Sequence, residues 1–131
     1  KFISKGIMER EDAVEAFKIG ADAIVVSSHG GRQLDGASSS IAMLPAIINE
    51  VGKNGSVWMD GGIRSGQDVL KAVALGAEAT LLGRSFCHGI GAFGSQGGMK
   101  ALNIMHKELD VTMALCGKRD IKDVDNSILR F

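Results

Sequence analysis

The run EDAVEAFKIGADAIVVSS, Glu11 to Ser28, returns without a gap as QDVLKAVALGAEATLLGR, Gln67 to Arg84. Each copy reads as a helix, then Gly-Ala-acid-Ala, then a short β-rich run. In the first, Ala13, Val14, Phe17 and Lys18 keep helical spacing with Phe17 toward the core. In the second, Val69, Leu70 and Val73 do the same. Gly20 and Gly76 stand where a helix C-terminus takes a left-handed residue. Ser65 with Asp68 reads as a capping box that opens the second helix. Recurrence at this spacing, about two βα units, restricts the chain to alternating helices and strands.

The flanking segments extend the alternation. Phe2 to Ser4 reads as a short apolar strand, and a helix around Ile41 to Val51 leads to a strand at Ser56 to Met59. A helix around Met99 to Lys107 follows the second copy. The last segment, DVTMALCGKRDIKDV, reads as a short helix, a break at Gly117 and a further helical turn. The expected fold class is α/β, four parallel βα units in a single domain over residues 1–131. Such a set is either a small open sheet or half of a (β/α)8 TIM barrel. The strand ends fall at or near Lys5, His29, Asp60 and Arg84. A row of chemical groups on successive strand ends suits the barrel, whose site forms at that face. An open sheet gathers ligands mainly at one switch point.

Composition narrows the partners. Lys plus Arg and Asp plus Glu both number 15, so no basic stripe invites nucleic acid. The apolar runs are too short for a transmembrane segment, and KFISKGIMERED does not read as a signal peptide. Cys87 and Cys116 form no CxxC pair and read as free thiols in a reducing compartment, so the expected location is cytoplasmic. No metal site is expected.

Two rims carry chemistry. MDGGIRSGQD joins a strand to a helix start through Gly61 and Gly62, and LLGRSF ends the next strand with Gly83 and Arg84. Outward amides, a helix N-terminus and the guanidinium groups of Arg64 and Arg84 make a phosphate cradle. In VVSSHGGRQLDG a strand opens onto His29, bracketed by a serine pair and two glycines, with Arg32 three residues on. An imidazole titrates near pH 6.5, which suits a general base. A guanidinium fork holds a carboxylate in two parallel bonds. Together they point to removal of a proton or hydride from carbon beside a carboxylate. His88 and Cys87 read as packing or turn residues, His106 as a surface residue and Trp58 as core. The ASSS stretch reads as a loop that ends with Ser39 or Ser40 capping the next helix.

SSHGGRQLD, DGGIRSGQDVLKAVALGA and LLGR, with SKGI and ELDVTMALCGKRDIKD, resemble the FMN-dependent 2-hydroxy acid dehydrogenases and oxidases, the family of L-lactate dehydrogenase and glycolate oxidase. The likeness spans nearly the whole chain, and it implies the C-terminal half of a (β/α)8 barrel that binds FMN. It also implies residue roles. Lys5 would lie beside the flavin and stabilise negative charge on it, and Ser27 would contact the flavin. His29 would be the base and Arg32 the clamp for a small 2-hydroxy acid. Asp60, Gly61, Gly62, Ile63 and Arg64, with Gly83 and Arg84, would hold the ribityl phosphate.

Two departures stand out. Ser28 occupies a position where the family usually has asparagine. A full barrel takes roughly 250 residues, and its first half supplies two tyrosines, an aspartate that orients the histidine and a second arginine. This chain contains no tyrosine. Expected readings are therefore an enzyme oxidising a lactate- or glycolate-like acid to the 2-oxo acid, or a half-barrel remnant that binds phosphate or FMN without turnover. Its two open sheet edges would pair with a second copy or with a separate first-half chain. Peripheral attachment at the inner membrane face stays open. HGGRQ argues against a flavin-dependent isopentenyl diphosphate isomerase, whose chemistry needs no carboxylate clamp beside a base.

Overall fold

The computed structural model describes residues 1–52 and 54–130. Four parallel strands lie side by side in chain order: β1 (Ile3–Ile7), β2 (Ala23–Val26), β3 (Ser56–Asp60) and β4 (Ala79–Leu81). The connecting helices are α1 (Arg10–Lys18), α2 (Ser40–Val51) and α3 (Gly66–Ala74), and α4 (Arg84–Leu115) follows β4. Sequential order in a parallel sheet is the arrangement of half a (β/α)8 barrel. β1 and β4 are its edges, each hydrogen-bonded to one strand only among the described residues.

Side chains alternate across the sheet, so the two faces differ. Ile24, Val26, Val57 and Met59 point to the helices and pack with Ala13, Leu44, Ile47 and Val51 in the main core. The opposite face carries Lys5, Val25, Trp58 and Ala79 in one row. Trp58 is therefore not core, as the sequence suggested. It is half-buried on the open face, and its Nε1 donates to Ser56 Oγ at 2.7 Å. Phe17 does meet the core and lies over Gly55, where a Cβ would run into its ring.

The repeat forms as read. Gly20 and Gly76 take φ of 97° and 105°. At each, paired amide bonds close the helix: Gly20 to Phe17 and Ala21 to Ala16, then Gly76 to Val73 and Ala77 to Ala72, all within 3.0 Å. The Ser65–Asp68 capping box is complete in both directions.

Helix α4 departs from the sequence reading. It is two helical segments, 84–92 and 95–115, meeting at a kink where Phe93 and Gly94 leave helical geometry (φ −143° and 59°). Glycines from GIGAFGSQGG let the segments press together, for a Cβ on Gly97 would strike the Gly89 carbonyl. That composition masked the first segment. Beyond the Gly117 break come two short turns, Ile121–Asp123 and Asn126–Ile128. Val124 packs there with Leu70 and Ala74 in a smaller outer cluster. No described helix is long and apolar enough to cross a membrane.

Candidate active site

Strand β1 is bulged between Lys5 and Ile7, with Gly6 at φ 103°. Lys5 therefore lies inside the strand, whereas the sequence put it at the strand end. Its Nζ sits 2.8 Å from Asp60 Oδ2 at the end of β3 and donates to Ser27 Oγ at 2.8 Å. Ser27 is 1% exposed, and its Oγ also accepts the His29 amide at 3.1 Å. One buried hydroxyl thus ties the lysine of β1 to the backbone that carries the histidine.

That backbone is unusual. His29 has φ 52°, and Gly30 and Gly31 follow at 68° and 72°. A non-glycine residue in the left-handed region costs roughly 1–3 kcal/mol and tends to persist at functional sites. Neighbours hold the turn. Ser40 Oγ accepts the Ser28 amide at 3.1 Å, and Arg84 Nη2 donates to the Gly30 carbonyl at 3.1 Å from across the cleft. Ser39 occupies the N-cap of α2 without a side-chain bond, so Ser40 braces the rim instead.

At the third rim Gly61 and Gly62 take φ of 86° and 81°. Ile63 is buried in the main core, so its side chain faces away from the opening. Its carbonyl accepts the Ser85 hydroxyl at 3.3 Å. Asp60 Oδ1 is buried with no hydrogen-bond partner among the described residues, and an oxygen in that state calls for a donor.

All the candidate residues except Ser27 line one cleft of about 720 Å³. Ser27 lies beneath it. Gln33, Ser85, Cys87 and His88 line it too. Sequence reasoning passed over Gln33 and gave Cys87 and His88 to packing. Both are exposed in the first turns of α4, and the signal that helix starts at Arg84 was hidden by the glycines behind it. Lys5, Arg32, Arg64 and Arg84 face Asp60 as the single carboxylate among the lining residues, so the cleft favours an anion. Cleft volume and donor set together define a class: an α/β half-barrel with an anion-binding site at the C-terminal ends of its strands.

A family profile described as FMN-dependent dehydrogenase matches residues 1–131, and the chain belongs to that family. An L-lactate dehydrogenase of Caulobacter vibrioides is 47% identical over 127 residues, which is 97% of this chain and 33% of the relative. An L-lactate oxidase of Nostoc sp. is 46% identical, covering 97% of this chain and 35% of the relative. A crystal structure of mandelate oxidase with 3,3-difluoro-2-hydroxy-3-phenylpropionic acid superposes with a TM-score of 0.91 at 45% identity, over 95% of this chain and 38% of that one. The chain spans about a third of the length of the curated relatives it matches.

The residues present fit FMN. A hydroxylated chain would supply the donor that Asp60 Oδ1 lacks. The side-chain-free turn at Gly61 and Gly62, with Arg64 and Arg84, suits a phosphate.

Proposed function

We propose that this chain is the C-terminal half of an FMN-dependent L-2-hydroxy acid dehydrogenase or oxidase, folding as one unit over residues 1–131. What carries the reading is that Lys5, His29, Arg32, Asp60 and Arg84, drawn from separate strand ends and the loops behind them, share one cleft. Arg32 clamps the substrate carboxylate. His29, exposed in the cleft, takes a proton from the substrate as it becomes a 2-oxo acid. When bound, FMN would supply the redox chemistry, taking up the two electrons together with the substrate's second hydrogen. Asp60 would accept a hydrogen bond from the ribityl chain, and Gly61, Gly62, the Ile63 backbone, Arg64, Gly83 and Arg84 would hold the phosphate. Lys5, fixed by Ser27 and Asp60, would stabilise negative charge on the bound flavin. Ser27 would contact the flavin while its Oγ holds Lys5 and the His29 amide.

A second reading has its own support: among the described residues nothing hydrogen-bonds the His29 ring, and the chain has no tyrosine. On it, the isolated half-barrel binds FMN or phosphate without turnover, and activity requires a first-half chain or a second copy on the β1 and β4 edges. Two exposed free thiols, Cys87 and Cys116, suit a cytoplasmic location.

The purified chain, loaded with FMN, separates the readings. Bleaching of the flavin band by L-lactate, glycolate or mandelate supports the enzyme. A yellow protein that does not bleach supports the remnant, and bleaching restored by a first-half chain supports the split enzyme. His29→Ala should lower the bleaching rate by about 10²–10⁴-fold. An unchanged rate in that variant removes the histidine from the role of base.

A further inference from the structure

The β1 bulge leaves an empty side-chain position that a second residue fills. A Cβ built on Gly6 would stand 2.8 Å from His29 Nε2, 3.4 Å from Cε1 and 3.8 Å from Cδ2. All three nearest atoms belong to one imidazole. Real Cβ atoms do not come so close, so any side chain at residue 6 would displace the ring or the strand. The backbone beneath His29 has little freedom to give way. Its amide is tied to buried Ser27 Oγ, and the Gly30 carbonyl is held by Arg84. The ring would have to move instead.

We propose that Gly6 is a positioning residue for His29. The bulge at φ 103° presents the bare Gly6 backbone to the imidazole and fixes the ring's height over the cleft, beside Lys5 and Asp60. The proposal rests on the reading of His29 as base, since that gives the ring's position a purpose. Backbone demand alone is a different matter. Gly20 has nearly the same φ, 97°, with nothing within 4 Å of a built Cβ, so it reports the strain of a positive φ without the contact.

The test compares Gly6→Ala, Gly20→Ala, His29→Ala and the Gly6→Ala/His29→Ala pair in the full 131-residue chain. In the wild type, NMR should detect proximity between the His29 ring protons and the Gly6 α-protons. Gly6→Ala should move the ring resonances, while Gly20→Ala leaves them in place. Urea midpoints should fall further for Gly6→Ala when His29 is present than when it is alanine, because removing the ring makes room. Additive midpoints, or ring resonances indifferent to Gly6→Ala, would overturn the proposal. Should Gly6→Ala not fold, recovery of folding in the double variant supports the contact, and an equally unfolded double variant refutes it. On the FMN-loaded chain, Gly6→Ala should lower kcat about tenfold or more with KM for L-lactate nearly unchanged. Wild-type protein that does not bleach even with a first-half chain added ends the reading of His29 as base but leaves the Gly6 contact to be judged by the midpoints and the NMR.

Discussion

Helix α1 with strand β2, and helix α3 with strand β4, are two copies of one pattern that the fold treats differently. Their middles match: both helices end in the same paired-amide closure at a left-handed glycine. Their outer parts diverge. β2 lies inside the sheet and all of its residues are buried, while β4 is an edge whose residues are half-exposed. α3 starts from a complete capping box, and α1 starts at Glu9 with no side-chain bond. After β2 comes the left-handed turn of His29, and after β4 the chain enters α4 directly. The lesson is a division of labour. The repeated part sets the spacing of rims around the cleft, and the turns at and beyond its strand ends carry most of the candidate site.

Matched substitutions test that division. The largest effect should come from the strand interiors. Ile24 is 0% exposed in the main core, so Ile24→Ala should cost about 2–5 kcal/mol. Thr80, its counterpart in β4, is half-exposed, and Thr80→Ala should cost less than about 1 kcal/mol. Urea unfolding read from the single tryptophan, Trp58, measures both. Equal losses would mean that β4 is covered in the working protein, which would itself point to an edge partner.

Next come the helix starts as packing sites. A Cβ on Gly66 would collide with the backbone of Leu109 in α4, so Gly66→Ala should cost about 1–3 kcal/mol by overpacking. Arg10, its counterpart, is exposed, and Arg10→Ala should stay within about 0.5 kcal/mol of zero.

How much of this was legible follows from the same contrast. Helix closure and the capping box are local: a glycine at the C-terminus and a Ser-x-x-Asp at the start act over one turn, so sequence alone reveals them. The parallel alternation followed from the repeat for that reason. Position relative to a face is not local. Trp58 looks like core because it stands between Val57 and Met59, yet the pleat turns it to the open side. Lys5 looks like a strand end because the bulge at Gly6 leaves no mark in the hydrophobic pattern. Ser27 looks like a ligand contact, and only the three-dimensional register adds that its hydroxyl also holds Lys5 and the His29 amide. The first segment of α4 was hidden because glycine opposes helix by propensity, and here tight packing against the second segment outweighs that.

The helix closures sharpen the comparison by testing where the copies should agree. Gly20→Ala and Gly76→Ala each force alanine to a positive φ, at a cost of about 1–2 kcal/mol. Gly76 should lose somewhat more, because its Cβ would also stand 3.0 Å from Ile48 Cγ2 while Gly20 faces open space. Urea midpoints should therefore rank Gly76→Ala below Gly20→Ala by a small margin. A reversed order would mean that Ile48 moves aside freely and that the second copy is less tightly packed on α2 than its geometry implies.

The smallest effect belongs to the capping positions, and it isolates one interaction. Ser65 Oγ accepts the Asp68 amide at 3.2 Å, and Asp68 Oδ2 accepts the Ser65 amide at 3.0 Å. Ser65→Ala removes the first bond, together with the one Ser65 Oγ donates to Asp68 Oδ2 at 3.0 Å, and leaves the second, so the loss should be about 1 kcal/mol. Glu9→Ala at the matching position of α1 removes no cap bond and should change stability by a few tenths of a kcal/mol at most. The bonds sit next to Arg64, which lines the cleft and whose own amide donates to Asp68 Oδ2 at 3.0 Å. A loosened cap therefore has a second consequence: Ser65→Ala should weaken FMN binding a few-fold in a flavin titration, and Glu9→Ala should not. If both variants bind flavin as the wild type does, the cap steadies α3 alone, and the phosphate rim holds its shape without it.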